Sequence, residues 1–307
     1  MDHHPDNPSS NQLPPGVPEE KLIDAVQKSG YPLQSLVARE LSNEFQVVEE
    51  WGYSDRTEKS HRSLDVYAFR ELHSRGPVKP RFHLLVECKR SDLPYVFFVP
   101  GADRKMRGFP DILASANNYQ LRLERGHREI SAAEFFCAAE LPFISPGPTI
   151  STSFTRAERK KKEFDLTGEV PFKQVVLPLA SALEHLRSFW HGTPQSPVIV
   201  LAICVVDATM VVARGTPEYA GLTAEPWARV VHQEAIQEQD RWVARNYVVD
   251  CVHRRYLRKY VDEHAIPFAE SFADRMVRYH NRVTKGPHQR PENLAWSQFA
   301  ETVALGE

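Results

Sequence analysis

Arg81-Phe82-His83-Leu84-Leu85-Val86-Glu87-Cys88-Lys89-Arg90 is the stretch whose reading decides the fold. Its period of two predicts a buried β-strand, with Phe82, Leu84, Val86 and Cys88 on one face and His83, Leu85, Glu87 and Lys89 on the other. The second face turns ionic only at its end. A carboxylate and an ammonium at the edge of a core strand need a partner, a metal or water to offset their desolvation.

The segment before it, Leu64-Asp65-Val66-Tyr67-Ala68-Phe69, alternates in the same way, with Asp65, Tyr67 and Phe69 on one face and Leu64, Val66 and Ala68 on the other. Gly76, Pro77 and Pro80 in the connection over 72–80 turn the chain back, so the two strands are expected to pair as an antiparallel hairpin that brings Asp65 toward Glu87. Residues 45–51 read as a strand, followed by a polar loop over 52–62. Further upstream a helix over 20–27 ends at Ser29-Gly30, and a second begins after Pro32. Leu33, Leu36, Val37, Leu41 and Phe45 form the second helix's core-facing stripe, and Glu40 falls inside it. The plain reading of Glu40 is a stripe-edge side chain that reaches water.

Beyond the central strand, 95–99 predicts a further strand, 101–110 a basic loop, and 111–124 a helix carrying Asn117, Asn118, Tyr119 and Gln120. A helix over 131–140 and a Pro- and Ser-rich stretch over 142–153 lead to the basic run 156–162, which reads as a solvated face before it reads as a phosphate-contacting arm. A helix over 175–190 precedes a fully buried strand at 197–206, continued at 210–213. Strands at 229–232 and 246–252 follow, then a helix with Tyr256, Leu257, Tyr260 and Val261 inward and basic residues over 254–259 outward. Pro267 suits the first turn of a closing helix with the stripe Phe268, Phe272, Met276 and Tyr279.

Residues 1–18, rich in proline and poor in apolar anchors, predict a disordered tail; 19–285 is expected to form one domain, and 286–307 a C-terminal tail. With 307 residues the chain is long enough to bury a full core, and a formal net charge of -2 excludes bulk attraction for polyanions, so any nucleic-acid surface must be local. Cys88, Cys137, Cys204 and Cys251 are widely spaced and sit in apolar runs, which predicts reduced core thiols and a cytoplasmic protein. The longest apolar run, 198–206, is too short to cross a bilayer, so no membrane role is expected. HExxH, Walker, GxGxxG and GxSxG patterns are absent from the sequence.

Glu40, Asp65, Glu87 and Lys89 thus come from consecutive elements as three carboxylates and one ammonium. Gathered carboxylates repel unless a cation resolves the conflict, and Mg2+ takes hard oxygen ligands from one or two carboxylates, with water and substrate phosphate completing the shell. On that reading Asp65 and Glu87 bind the ion directly and the Cys88 backbone carbonyl is within reach. Lys89 then orients or deprotonates the attacking water, and Glu40 holds a second ion through water or holds the lysine. The plainer alternative is an ion pair of Glu87 with Lys89 at a strand end.

At these residues the chain resembles the PD-(D/E)XK nuclease superfamily: a helix with Glu40 in Leu-Val-Ala-Arg-Glu-Leu, a strand with Asp65 in Ser63-Leu64-Asp65-Val66, and an apolar strand ending Val86-Glu87-Cys88-Lys89. Leu64 stands where the namesake motif has proline, and the likeness covers residues 33–100. The resemblance implies an α/β fold with a restriction-endonuclease-like core, a mixed central sheet flanked by helices and extended by the C-terminal strands and helices. It also implies phosphodiester hydrolysis with Mg2+, or Mn2+ as substitute, on DNA before RNA, and a homodimer is compatible with it. The rival expectation is a non-catalytic nucleic-acid-binding or scaffold protein that keeps the fold and binds through the basic segments 156–162 and 254–259.

Overall fold

The computed structural model describes residues 4–55, 60–72, 76–99, 111–113, 120–122, 129–131, 136–189, 195–216, 219–238 and 241–284. Residues 4–18 hold turns but no helix or strand. The loop expected at 101–110, the residues Asn117 to Tyr119 and the C-terminal tail lie outside the described residues.

The central decapeptide forms β3 (Arg81–Arg90), and β2 (Ser60–Glu71) pairs with it antiparallel, Val66 opposite Val86 and Tyr67 opposite Leu85. β1 (Gln46–Asp55) lies antiparallel on the far side of β2, so strands replace much of the loop expected over 52–62. The chain later returns through helix α3 (Leu177–Phe189) to β11 (Val198–Asp207), which runs parallel to β3 from Val198 opposite Arg81 to Asp207 opposite Arg90. β15 (Arg241–His253) is parallel to β11, β14 (Trp227–Glu238) antiparallel to β15, and β8 (Thr149–Ser151) parallel to β14. A mixed sheet in the order β1-β2-β3-β11-β15-β14-β8 results.

Helices cover both faces. Phe82, Leu84, Val86 and Cys88 pack with Val37, Leu41 and Phe45, from and just after α2 (Tyr31–Leu41), and with Phe268, Phe272 and Met276 of α4 (Ile266–Thr284). On the opposite face Leu85, Val200 and Val206 pack with Leu179, Leu183 and Leu186 of α3. Fully burying such side chains contributes about 1.5–3 kcal/mol each, so the layered α/β core carries the fold. The preceding helix α1 (Glu19–Lys28) buries none of its residues.

The later strands do not all extend the central sheet. β4 (Tyr95–Phe98), β9 (Ser153–Lys160), β10 (Glu163–Thr167), β12 (Met210–Thr216) and β13 (Tyr219–Ala224) form a second sheet in the order β10-β9-β4-β12-β13, with Phe97, Phe154 and Val212 packed into the α3-side cluster. The helix expected over 111–124 is corrected too. β5 (Asp111–Leu113) pairs antiparallel with Val198–Val200 of β11, the edge that β15 leaves unpaired, and β6 (Gln120–Arg122) pairs with β7 (Glu129–Ser131). Pairing at an open edge overrides local helical preference. Of the helix expected over 131–140, Ser131 instead ends β7 and a single 3-10 turn forms at Ala138–Glu140, while 132–135 lie outside the described residues. Phe136 is buried edge-on against Phe272, and Arg275 donates to the Phe136 and Cys137 carbonyls.

Pro267 stands in the first turn of the last helix, as expected, but that helix does not start afresh there. A π turn at Val261–Ala265 runs directly into α4, whose second residue it is. The wider turn makes room for a ring that otherwise strikes the carbonyl four residues back. The same device recurs before Pro178, where the π turn Phe172–Val176 leads into α3.

Leu64 is the last correction. It packs with Tyr53 and Tyr67 on the α3 side, while Val66 and Ala68 pack on the other, so the alternation breaks at Asp65. The pairs Glu49–Val66 and Trp51–Leu64 bracket Glu50 opposite Asp65, and Glu50 has a left-handed φ of 50°. A left-handed residue inside a strand re-aims the side chains around it.

Candidate active site

The β1-β2-β3 meander lines up three acids. Glu50 and Asp65 share a level across β1 and β2, and the β2–β3 register, continued one residue past Val66 and Val86, sets Asp65 opposite Glu87. The Asp65 Oδ2 accepts the Cys88 backbone N–H at 2.6 Å, and the Lys89 Nζ donates to Glu87 Oε2 at 2.7 Å. Glu87 is only 5 % exposed. Three of the four expected residues, Asp65, Glu87 and Lys89, therefore meet, with the Cys88 backbone beside them.

The electrostatics follow from burial. Glu87 is pushed up to about 7, first by burial and then by the charges of Asp65 and Glu50, against the pull of Lys89. Asp65 is raised as well, chiefly by burial, although the Cys88 N–H and the Lys89 charge oppose it. Burial alone would lower Lys89, but the Glu87 and Asp65 carboxylates outweigh it and hold the ammonium above its ordinary range. The two partners of the Glu87–Lys89 pair thus shift the same way for different reasons. For the acid desolvation wins; for the base the neighbouring acids win. Two carboxylates against one ammonium leave the group short of one positive charge.

Glu87 and Lys89 open onto a cleft of about 650 Å³, whose wall also holds Tyr53, His61, Arg62 and Lys173. The β1–β2 hairpin supplies Tyr53, His61 and Arg62, and the π turn before α3 supplies Lys173 and Gln174. Arg62 pairs with Asp55 at 3.3 Å and Lys173 with Glu169 at 2.5 Å. Burial, then the Glu87 charge, pushes the Tyr53 phenol up to about 12.

Glu40 is not brought into this group. α2 packs on the face of β3 that carries Val86 and Cys88, opposite to Glu87 and Lys89, so a residue in its inward stripe meets other partners. Glu40 lines a small hollow with Leu257, Arg258 and Asp262; burial raises its pKa, and Arg254 and Arg258 oppose that rise. The basic segments are largely engaged as well. Arg254 faces Asp207 at 3.4 Å, Arg258 faces Asp262 at 2.6 Å, and Lys259 faces Glu263 at 3.6 Å. Arg156 pairs with Glu158 at 3.1 Å and Lys160 with Asp165 at 3.3 Å in the β9–β10 hairpin.

Sequence reasoning missed Glu50, Tyr53 and Lys173. The run Trp51-Gly52-Tyr53 continues the aromatic strand pattern past the boundary drawn at Trp51, a signal for the longer strand; Lys173 had none, since its place depends on how α3 docks. The isolated histidines divide: His61 borders the cleft, and His253 accepts the Arg255 N–H. His83 is buried against Tyr67 at 2.7 Å and held neutral, its pKa lowered to about 3 by burial first and Arg81 second. All four cysteines are buried and outside any disulfide. Among the described residues no helix is long and apolar enough to cross a membrane, and no group of three or more His, Cys, Asp or Glu side chains stands close enough to hold a metal ion.

Glu87 makes a pH prediction. Its pKa is raised from an ordinary 4.5 to about 7, so the folded state binds this proton more tightly than the unfolded state. Its contribution to stability must fall as pH rises between those values and stay level above, by a total on the order of 3 kcal/mol. Glu87→Gln removes that dependence, so chemical denaturation between pH 4.5 and pH 8 should show the variant gaining on the wild type as pH rises. Compared with protein-family models, with curated proteins and with solved structures, the chain matches none.

Proposed function

We propose that this chain is a metal-dependent nuclease acting on DNA in preference to RNA. The observation that carries the reading is the Asp65–Glu87–Lys89 group, with Glu87 buried and its neighbours half-buried, short of one positive charge and facing a polar cleft. The helix-flanked mixed sheet, with the Asp65 strand beside the strand that ends in Glu87 and Lys89, supports a restriction-endonuclease-like core.

The residues fit a small hard cation. Mg2+ is held by one or two carboxylates and otherwise by water and phosphate oxygens, so a site of only two acids suits it. Asp65 and Glu87 would hold the ion, which when bound polarises a phosphate and lowers the pKa of its water. Asp65 is oriented for this by the Cys88 N–H. Lys89 fixes one Glu87 oxygen, and its remaining N–H donors serve charge that develops on a phosphate in the cleft. Arg62 and Lys173 at the cleft edge, side chains paired with Asp55 and Glu169, would exchange those acids for neighbouring phosphates.

The test is incubation of purified protein with plasmid, linear and single-stranded DNA and with RNA, each with Mg2+, Mn2+ or EDTA. Cleavage that EDTA stops supports the reading; no cleavage of any substrate overturns it. Glu40 separates this site from the one expected from the sequence motif. Glu40→Gln should change the rate by less than about tenfold, under ~1.4 kcal/mol of barrier, measured beside Glu87→Gln, which should abolish metal-dependent cutting.

A further inference from the structure

Tyr53 of β1 lines the cleft that holds Glu87 and Lys89, and the residue is 2 % exposed. Its ring is stacked on Trp51 at 6.4 Å between centroids and tilted against His185 of α3 at 6.5 Å, so the position of the hydroxyl is set by packing on two elements. That hydroxyl is buried and has no hydrogen-bond partner among the described residues. Buried phenols in protein cores find a partner, because leaving one unmatched carries the desolvation cost of the group. The buried phenol of Tyr67, on the neighbouring strand, shows the ordinary outcome, its hydroxyl bonded to His83. Tyr53 differs in that its unmatched donor stands beside the cleft's charged groups.

We propose that Tyr53 is a phosphate ligand of this cleft, its hydroxyl donating to a non-bridging oxygen of the phosphodiester that lies over Glu87 and Lys89. The identity of the phosphate rests on the nuclease reading; the unmatched donor does not. Phenylalanine could fill the same packed space, so the hydroxyl adds nothing to the fold that the ring does not already supply. The cleft wall closes the hydroxyl off from bulk water, so a phosphate reaches it only as that wall gives way, and a hydrogen bond to an anion in such a place is stronger than one at the surface. Lys89 is tied to Glu87 and Arg62 to Asp55, which leaves Tyr53 as a neutral donor that brings no further acid with it.

The test compares wild type with Tyr53→Phe in three measurements: thermal unfolding, binding of a single-stranded DNA oligonucleotide in Ca2+ and of inorganic phosphate alone, and cleavage in Mg2+. The expected result is an unchanged or higher melting temperature with oligonucleotide binding weakened between about tenfold and a hundredfold, the range for a hydrogen bond to a charged group. Weakened phosphate binding in parallel assigns the contact to the phosphate itself. Equal binding by both proteins overturns the inference, as does a lower melting temperature for Tyr53→Phe, which would mean the hydroxyl has a structural partner. A wild type that binds neither ligand also overturns it. A wild type that binds through Tyr53 yet cuts nothing supports this inference and sinks the nuclease reading; cleavage and binding that ignore Tyr53→Phe do the reverse.

Discussion

Asp65→Asn is expected to lower metal-dependent DNA cleavage by at least about 10²–10³-fold, the scale of losing one preorganised electrostatic contact in an active site, while leaving the melting temperature equal or higher. The reasoning separates two jobs of one side chain. As an acceptor, Asp65 takes the Cys88 N–H at 2.6 Å, and an asparagine carbonyl oxygen replaces it there without moving the strand. As a charge, Asp65 is destabilised by burial, so its removal costs the fold nothing. Lys89→Met makes the complementary case, since it leaves Glu87 without its ammonium at 2.7 Å. Both variants should be assayed over a Mg2+ series beside calorimetric titration of the ion. A variant that cuts at wild-type rate with the ion bound removes Asp65 from the mechanism.

The largest effect on stability lies elsewhere. Arg229→Met alone should cost about 3–5 kcal/mol, the scale for breaking a buried ion pair from one side. Arg229 and Asp250 sit directly opposite each other on β14 and β15, joined twofold at 2.7 and 2.9 Å, and both are almost completely buried. Tyr260 donates to the same carboxylate at 2.8 Å, Arg229 also donates to the Phe143 carbonyl at 3.2 Å, and the guanidinium lies over the Phe143 ring. Removing the arginine leaves Asp250 charged in the core with one hydrogen bond in place of three. Replacing both, as Arg229→Met with Asp250→Leu, should recover much of the loss, because desolvation of the pair nearly cancels its attraction. Urea denaturation of the two variants decides between these outcomes; similar losses for the single and double variants would mean that packing and not charge holds this site.

The central strand was legible because its alternation is uninterrupted and its ends are marked by arginines: Arg81 and Arg90 bound β3 in the sequence and in the structure. Asp65 near Glu87 followed from one hairpin. Glu40 was misplaced by the same rule that found β3. The helix stripe says that Glu40 faces inward, but inward from α2 is the Val86 face, and Lys89 is on the other. Which face a helix covers depends on the handedness and length of its connection, not on its own periodicity. Glu50 and Tyr53 were hidden because a left-handed residue in mid-strand breaks the alternation used to recognise strands. Residues 111–113 became a strand because β11 left an edge for them, a fact located in another part of the chain.

The parallel pair β3 and β11 has a consequence for motion. Both strands leave the central sheet together: Ser91 still donates to the Asp207 carbonyl, Tyr95 to the Thr209 carbonyl, and Tyr95 and Met210 resume the pairing as β4 and β12 of the second sheet. β3 uses residues 91–94 for this passage and β11 only 208–209, so one connection travels the outside of a bend and the other the inside. A hinge needs a place where one strand can rotate alone, and here two hydrogen-bonded strands cross side by side. Opening of the second sheet away from the central one would have to break the ladder at Lys89's own end of β3. Amide exchange at Tyr95 and Met210 should therefore be as slow as at Val86, and the wall beside the acids should behave as one cooperative unit with the sheet that carries them.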